Sequence, residues 1–82
     1  MLSFNADKYG GVVVNSDEYD YNTDEEFTLA LDESLESWQD SNIRWCGVKV
    51  PIANAYYLPI VVARGLHFHH ADAVYVMFKK RL

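Results

Sequence analysis

The sequence predicts a small α+β domain in which two helices pack on a mixed sheet, in the order β-α-β-α-β-β. Two segments place apolar residues at helical spacing, and the segments around them carry the valine runs and alternating apolar residues typical of strands. A length of 82 residues fits one domain, residues 1–82, with a small core. With 50% hydrophobic and 23% charged residues, the composition excludes a disordered, collagen-like or low-complexity chain.

The first strand is predicted at residues 9–15, where three consecutive valines favour a pleated surface. Gly10 and Gly11 precede these valines and indicate a bulge or a close approach between backbones. The glycine pair is too short for a phosphate-binding loop and has no helix directly after it.

A polar loop is predicted next, at residues 15–22, and it contains Asp17, Glu18 and Asp20. Three neighbouring acids suggest a calcium loop, but the glycine and the terminal glutamate of that pattern are missing. A solvated loop is therefore the prediction.

The first helix is predicted to begin after Thr23, an N-cap residue that Glu26 completes as a capping box. One apolar stripe follows, at steps of four, four and three residues, and consists of Phe27, Leu31, Leu35 and Trp38. The helix is predicted to end near residues 41–42, where an asparagine can adopt the left-handed cap. The stripe predicts core packing worth about 1.5–3 kcal/mol for each buried side chain.

The second strand is predicted at residues 43–50 and is ended by Pro51, which lacks a backbone N–H. The second helix is predicted at residues 52–64, with Gly65 as its C-terminal cap. Pro59 fits this helix only in a first turn, so the first half of the segment is predicted to be irregular.

Two further strands are predicted at residues 66–71 and 74–78. The second of these is apolar on both faces, which predicts a central strand covered on both sides or a strand at an interface. The basic residues 79–81 are predicted to be a solubilising chain end.

Charge is distributed unevenly along the chain. The net charge of −5 argues against nucleic acid as a partner, and it divides into −10 for residues 1–41 and +5 for residues 42–82. Such polarity predicts pairing between the two halves of the chain or with a second copy, although a solvated acidic helix beside a basic chain end also explains it.

The sequence shows no membrane span and no secretory signal, because it has neither an apolar run of about 18 residues nor a basic start. Its single cysteine, Cys46, excludes an internal disulfide and favours a reducing compartment. We therefore expect no membrane partner and an intracellular protein, in the cytoplasm, nucleus or mitochondrion.

The sequence contains one cluster of metal-ligand residue types, His67, His69 and His70. On a strand, His67 and His69 share a face, a spacing that can hold a metal, and Asp72 is near in sequence. No firm third ligand is present, so packing or an interface role is favoured. Cys46 sits in an apolar strand and predicts an unreactive thiol, and no serine triad or glycine-rich phosphate loop is found.

The order of motifs resembles the N-terminal domain that precedes the catalytic domain in one branch of eukaryotic Nudix hydrolases. Residues 7–12 read D-K-Y-G-G-V, residues 49–51 read K-V-P, and residues 65–71 read G-L-H-F-H-H-A. The helix stripe matches that domain's F…L…SL..W pattern. The resemblance implies structural or interface roles for its signature positions: Gly10, Gly11, Trp38, Lys49, Pro51, Gly65, Phe68, His69 and His70.

The chain departs from the pattern at two positions. Gly47 stands where the family usually has tryptophan, with Trp45 two residues earlier, and Leu66 replaces a phenylalanine. The first change replaces a large core ring with nothing, so local packing or register is expected to differ.

The resemblance implies a pre-Nudix domain without the Nudix catalytic domain, because the G-x5-E-x7-R-E-U-x-E-E-x-G-U box is not found in the 82 residues. That box binds magnesium or manganese, so no cofactor is expected in this chain and Mg or Mn only in the absent catalytic domain. The implied role is a non-catalytic accessory domain of a hydrolase of nucleoside-diphosphate-linked compounds, acting in dimerisation, partner binding or substrate positioning. The expected partners are a second copy or the catalytic domain.

The pre-Nudix domain is also similar to the GNAT acetyltransferase fold, which predicts a GNAT-like domain here. The acetyl-CoA loop of that fold is present only as the fragment Arg64-Gly65. A degenerate GNAT-like binder or transferase of acetyl-CoA or a nucleotide is the alternative function, and a free-standing relative of the pre-Nudix domain is the alternative context.

Overall fold

The structure, a computed structural model, describes residues 2–14 and 23–82. The predicted polar loop with Asp17, Glu18 and Asp20, and its calcium alternative, lie outside the described residues. In chain order the described elements are β1 (Phe4–Ala6), β2 (Gly11–Val14), α1 (Asp24–Asp40), β3 (Trp45–Pro51), a 3-10 helix (Ile52–Tyr57), α2 (Leu58–Ala63), β4 (His67–Ala71) and β5 (Tyr75–Arg81).

The five strands form one mixed sheet in the order β1-β2-β3-β5-β4. Strands β2 and β3 are parallel, and the other neighbours are antiparallel. This confirms the predicted α+β class with two helices on a mixed sheet. The predicted order missed β1, which has only three residues and therefore shows no alternation. The described order is β-β-α-β-α-β-β.

Both helices lie on the same face of the sheet. The chain moves in one direction across the sheet through α1, from β2 to β3, and again through α2, from β3 to β4. Crossovers between parallel strands are right-handed in nearly all proteins, so two crossovers in the same direction place their helices together. The other face is packed against neither α1 nor α2.

The core lies between this helix layer and the sheet. The predicted stripe of α1 is buried there, against valines of β2 and β3 that include Val12, Val14 and Val48. Ser34 is the buried polar residue of the described chain, and its hydroxyl donates to Ala30 O at 2.7 Å and accepts from Leu2 N–H at 2.8 Å. That pairing removes the cost of an unsatisfied buried hydroxyl.

Local signals at the ends of α1 behave as predicted. The Thr23 hydroxyl accepts from the backbone N–H of Glu26 at 3.1 Å. Asn42 adopts a left-handed φ of 61°, which asparagine tolerates better than most residues. The Thr23 hydrogen bond caps the start of the helix, and the left-handed Asn42 follows its end.

The second helical segment is irregular, as predicted. A 3-10 helix occupies its first half, and Pro59 lies in the first turn of α2, where its missing N–H is not needed. Gly65 follows α2 with φ 85° and donates to Val62 O at 3.0 Å, which confirms its capping position. No helix in the described part of the chain is long and apolar enough to cross a membrane.

Strand β5 lies between β3 and β4, so it is an inner strand as predicted. Val76 and Phe78 face the helices, whereas Tyr75 and Met77 point to the other face, so helices cover β5 on one side only. The predicted solubilising end at residues 79–81 is wrong, because these residues continue β5 and pair with β3.

Candidate functional site

The sheet face that carries no helix is the candidate functional surface, and we call it the open face. Strand alternation and register place on it residues of β2, β3, β4 and β5, namely Gly11, Val13, Trp45, Gly47, Lys49, Pro51, His67, His70, Tyr75, Met77, Lys79 and Arg81.

Two glycines shape the open face. Gly11 lies opposite Trp45 in the parallel pair β2–β3, and a β-carbon at Gly11 would overlap the indole ring. The methyl end of Met77 lies over Gly47 in the same way. Trp45 and Met77 therefore lie against the backbones of neighbouring strands. They fill the space that side chains at Gly11 and Gly47 would otherwise occupy.

The departure at Gly47 is explained by this packing. We expected the missing tryptophan to leave nothing in its place, but the Met77 methyl occupies the space and the Trp45 ring lies 3.5 Å from the position of a β-carbon there. The pairing of β3 with β2 and β5 runs without a shift through Gly47. In this chain the space at Gly47 is therefore filled, and the strand pairing around it is regular. Leu66, the other departure, is buried in the core.

Two lysines cap the aromatic rings of the open face. The Lys79 ammonium lies 4.5 Å from the centroid of the Trp45 ring, and the Lys49 ammonium lies 5.0 Å from that of Tyr75. Such cation–π contacts contribute about 0.5–1 kcal/mol at exposed sites. They hold two positive charges directly over apolar surface.

Charge is segregated between the two layers of the fold. The described strands contain no Asp or Glu and four Lys or Arg, whereas α1 contains seven Asp or Glu and no Lys or Arg. The charge difference between the two halves of the sequence therefore corresponds to a charge difference between the acidic α1 and the basic sheet. An ion pair joins Asp32 of α1 to Arg64, which follows α2.

The side chains of β4 do not alternate regularly between the two faces of the sheet, contrary to the prediction for the histidines. A bulge between Phe68 and His70 breaks the pairing with β5, and it brings Nδ1 of His69 to 2.5 Å from Nδ1 of His70. Desolvation lowers the pKa of His69, with smaller contributions from Lys79 and His70. His70 also faces the Tyr75 ring, 5.9 Å away.

These histidines do not form a metal site with three ligands. Among the residues that the structure describes, no group of three or more His, Cys, Asp or Glu side chains is positioned to hold a metal ion. The predicted pairing of His67 with His69 is replaced by the contact between His69 and His70.

Other signature positions lie away from the open face. Trp38 is buried under the edge of the Phe4 ring at 5.5 Å, and its indole N–H has no hydrogen-bond partner among the described residues. Gly10 forms a turn before β2, with φ 86°. Pro51 ends β3 and is the exception, since it lies on the open face. The exposed Phe68 ring lies edge-on to Phe78, 6.1 Å away on the helix side.

The sequence therefore indicated Gly11, Lys49 and His70 of the open face as signature positions. It did not indicate that Trp45 and Lys79 belong to the same surface. Lys79 was assigned to the chain end, and Trp45 was noted only as a residue of the second strand beside the departure at Gly47. The available signal was the same spacing in β3 and β5: in each strand a lysine follows an aromatic residue by four positions and therefore shares its face. Their pairing across strands is not visible in either segment alone.

Arg64 takes part in a structural contact at the end of α2. Its guanidinium donates two hydrogen bonds to Asp32, at 2.9 and 3.1 Å, and its carbonyl accepts from Lys80 at 2.9 Å. An acetyl-CoA loop needs its donors at a helix N-terminus. The fragment Arg64-Gly65 lies instead at a helix C-terminus, so the alternative transferase function gains no support from this geometry.

Comparison with known proteins gives the family. The family model for the Nudix hydrolase domain matches residues 2–82. Nudix hydrolase 5 of Arabidopsis thaliana is 32% identical over 77 residues, covering 94% of this chain and 26% of that protein. Nudix hydrolase 8 of the same plant is 32% identical with 94% and 21% coverage, and Nudix hydrolase 7 is 31% identical with 94% and 27%. The chain spans about a quarter of the length of these curated relatives. It belongs to the Nudix hydrolase domain family.

Proposed function

We propose that this chain is a pre-Nudix accessory domain of a Nudix-family hydrolase and that it acts by contact and not by turnover. The observation that carries the proposal is the open face. There Trp45 and Met77 lie over the glycine positions of neighbouring strands, and a lysine lies over each of the Trp45 and Tyr75 rings. The sequence contains no Nudix box, which agrees with a supporting role. The parent reaction would be hydrolysis of nucleoside-diphosphate-linked compounds.

The chemistry of the open face selects its partner. Aromatic and thioether side chains are favoured at the centres of protein interfaces, and lysines beside them favour an acidic surface. The relatives are about four times as long as the matched region, so each has further chain that can supply such a surface. We therefore assign the open face to contact with the catalytic part of the same protein.

A second copy is a poorer partner for this face. In a symmetric dimer the same patch meets itself, so Lys49 and Lys79 of the two copies would be brought together. Placing the acidic α1 of one copy on the open face of another satisfies the charges but makes a head-to-tail contact, which need not close into a dimer. The catalytic part avoids both difficulties.

The arrangement of helices and strands also supports a GNAT-like origin for the domain. Apart from the additional strand β1, the described order agrees with the β-α-β-α-β-β order predicted from the sequence, and both crossover helices pack on a mixed sheet. In this proposal the fold is retained as a scaffold, and the acyl-transfer chemistry is not.

Co-purification tests the assignment. The 82-residue chain is tagged and co-expressed with the part of Nudix hydrolase 5 that it does not match. The double variant Lys49→Glu/Lys79→Glu is expected to lose the complex, because both lysines over the open face become acids. The matched control is Lys8→Glu/Arg44→Glu, which changes the net charge equally outside the open face and is expected to retain the complex. Equal loss in both variants, or self-association through the open face, would contradict the assignment.

A further inference from the structure

A second polar site lies at the turn before β2. Its role is separate from the contact function proposed above. Asp7 closes this turn: its carboxylate accepts from Tyr9 N–H at 3.1 Å, its carbonyl accepts from Gly10 N–H at 3.2 Å, and its N–H donates to Gly11 O at 2.7 Å. Three hydrogen bonds fix the backbone that carries Lys8 and Tyr9. The Tyr9 side chain is 70% exposed, so its ring is open to contact from solvent.

Arg44 joins this turn from the start of the neighbouring strand. Its N–H donates to Gly10 O at 2.8 Å, and its carbonyl accepts from Leu82 N–H at 2.9 Å. A β-carbon at Gly10 would lie 3.3 Å from Arg44 Cδ, so the arginine stem runs along the glycine. Gly10 therefore supplies a left-handed turn and also the space in which Arg44 lies.

These residues line one cavity of about 430 Å³, within the usual range of about 300–1,000 Å³ for small-ligand sites. Of the residues that the structure describes, Lys8, Tyr9, Gly10 and Arg44 line it, and none of these carries a carboxylate. Within residues 2–14 and 23–82, neither Lys8 nor Arg44 forms an ion pair. The side chains of Lys8 and Arg44 therefore place two positive charges at one cavity, although the net charge of the chain is −5.

We propose that the cavity formed by Lys8, Tyr9, Gly10 and Arg44 binds the phosphate of a nucleoside phosphate, with its base against the Tyr9 ring. An ammonium and a guanidinium are the strongest side-chain partners for phosphate oxygens. The Tyr9 ring supplies an aromatic surface for a base, and the Lys8 ammonium already lies 5.1 Å from its centroid. A bound phosphate draws Lys8 off that ring, so the exposed cation–π contact is given up on binding.

Calorimetric titration of the 82-residue chain with four probes separates the parts of the site. ADP is expected to bind most tightly, inorganic pyrophosphate and AMP more weakly, and adenosine without measurable affinity. Arg44→Ala and Lys8→Ala are each expected to weaken ADP binding about tenfold, since each removes one charged partner of the phosphate. Tyr9→Ala is expected to weaken ADP and leave pyrophosphate unchanged.

Lys49→Ala is the matched control, because it removes one positive charge from the open face. It is expected to leave ADP affinity unchanged. The proposal is overturned if ADP does not bind, if adenosine binds as well as ADP, or if Lys49→Ala costs as much as Lys8→Ala. If a variant unfolds, amide chemical-shift changes in the unmodified protein decide, and they are expected at residues 8–10 and 44. Shifts elsewhere only would overturn the site.

Discussion

The indole ring of Trp45 lies directly over the backbone of Gly11 in the adjacent parallel strand, in the space where any other residue would place its β-carbon. The two residues are far apart in the sequence and meet only because β2 and β3 pair in parallel. Gly11 is therefore needed because a side chain there would collide with the indole ring. Its backbone conformation does not require glycine, because the glycines with positive φ in the described chain are Gly10 and Gly65.

Gly11→Ala is expected to destabilise the domain by about 1–3 kcal/mol, because the added methyl forces the indole off the sheet. Urea denaturation followed by circular dichroism measures this change. The penalty is expected to shrink when Trp45→Ala is already present, since no ring then occupies the space. An equal penalty in both backgrounds would contradict the packing described for the open face.

Gly47→Ala is expected to cost less than Gly11→Ala, and under about 1 kcal/mol. The added methyl meets the flexible end of Met77, which can move, and alanine also restricts the unfolded chain more than glycine does. The same denaturation experiment compares the two variants. A larger cost at Gly47 than at Gly11 would show that Met77, and not Trp45, is the rigid side chain of this face.

The ion pair between Asp32 and Arg64 predicts a small, pH-dependent stabilisation. The Arg64 hydrogen bonds hold the pKa of Asp32 below its ordinary value, against a weaker opposite effect of desolvation. Its contribution is therefore present above the unfolded-state pKa of about 3.9 and is lost as the pH falls through the lower folded-state value.

Asp32→Asn is expected to cost about 0.2–1 kcal/mol at neutral pH, since both side chains are partly exposed, and almost nothing in strong acid. Denaturation midpoints across the acidic range measure the difference. Glu36→Gln, one turn further along α1, is the control for removing an acid from this surface. A cost for Asp32→Asn that stays constant into acid would exclude an electrostatic origin.

The Cys46 thiol is expected to be unreactive in the folded protein. Burial raises its pKa to about 11, and the nearby Lys80 offsets this only in part, so the thiol is protonated at neutral pH. Reaction with a disulfide reagent should be much slower in native buffer than in denaturant. Equal rates in the two conditions would mean that β3 opens freely or that the thiol is exposed.

Local signals explain why some elements were predictable. The Thr23 cap, the apolar stripe and Asn42 all act within a few residues of α1, so the sequence shows them directly. Pro59 constrained the second helix in the same way. In each case a residue type has one strong backbone preference that packing did not override.

Pairing between distant segments explains the misses. Strand β1 has only three residues and is defined by its partner β2. The bulge at β4 arises from pairing with β5, and no residue type at 68–70 signals it. The open face likewise depends on the strand order, which sets Lys79 over Trp45. The position of an aromatic residue could be read from the sequence, but its neighbours could not.

We propose that the open face contacts the catalytic part of a Nudix protein. Acetylation of individual lysines, followed by mass spectrometry, tests this contact in the 82-residue chain alone and after co-purification with the unmatched part of Nudix hydrolase 5. Lys49 and Lys79 are expected to react severalfold more slowly in the complex, while Lys8, which lies outside the open face, reacts at the same rate in both. Unchanged rates at Lys49 and Lys79, with Lys8 protected instead, would contradict the claim.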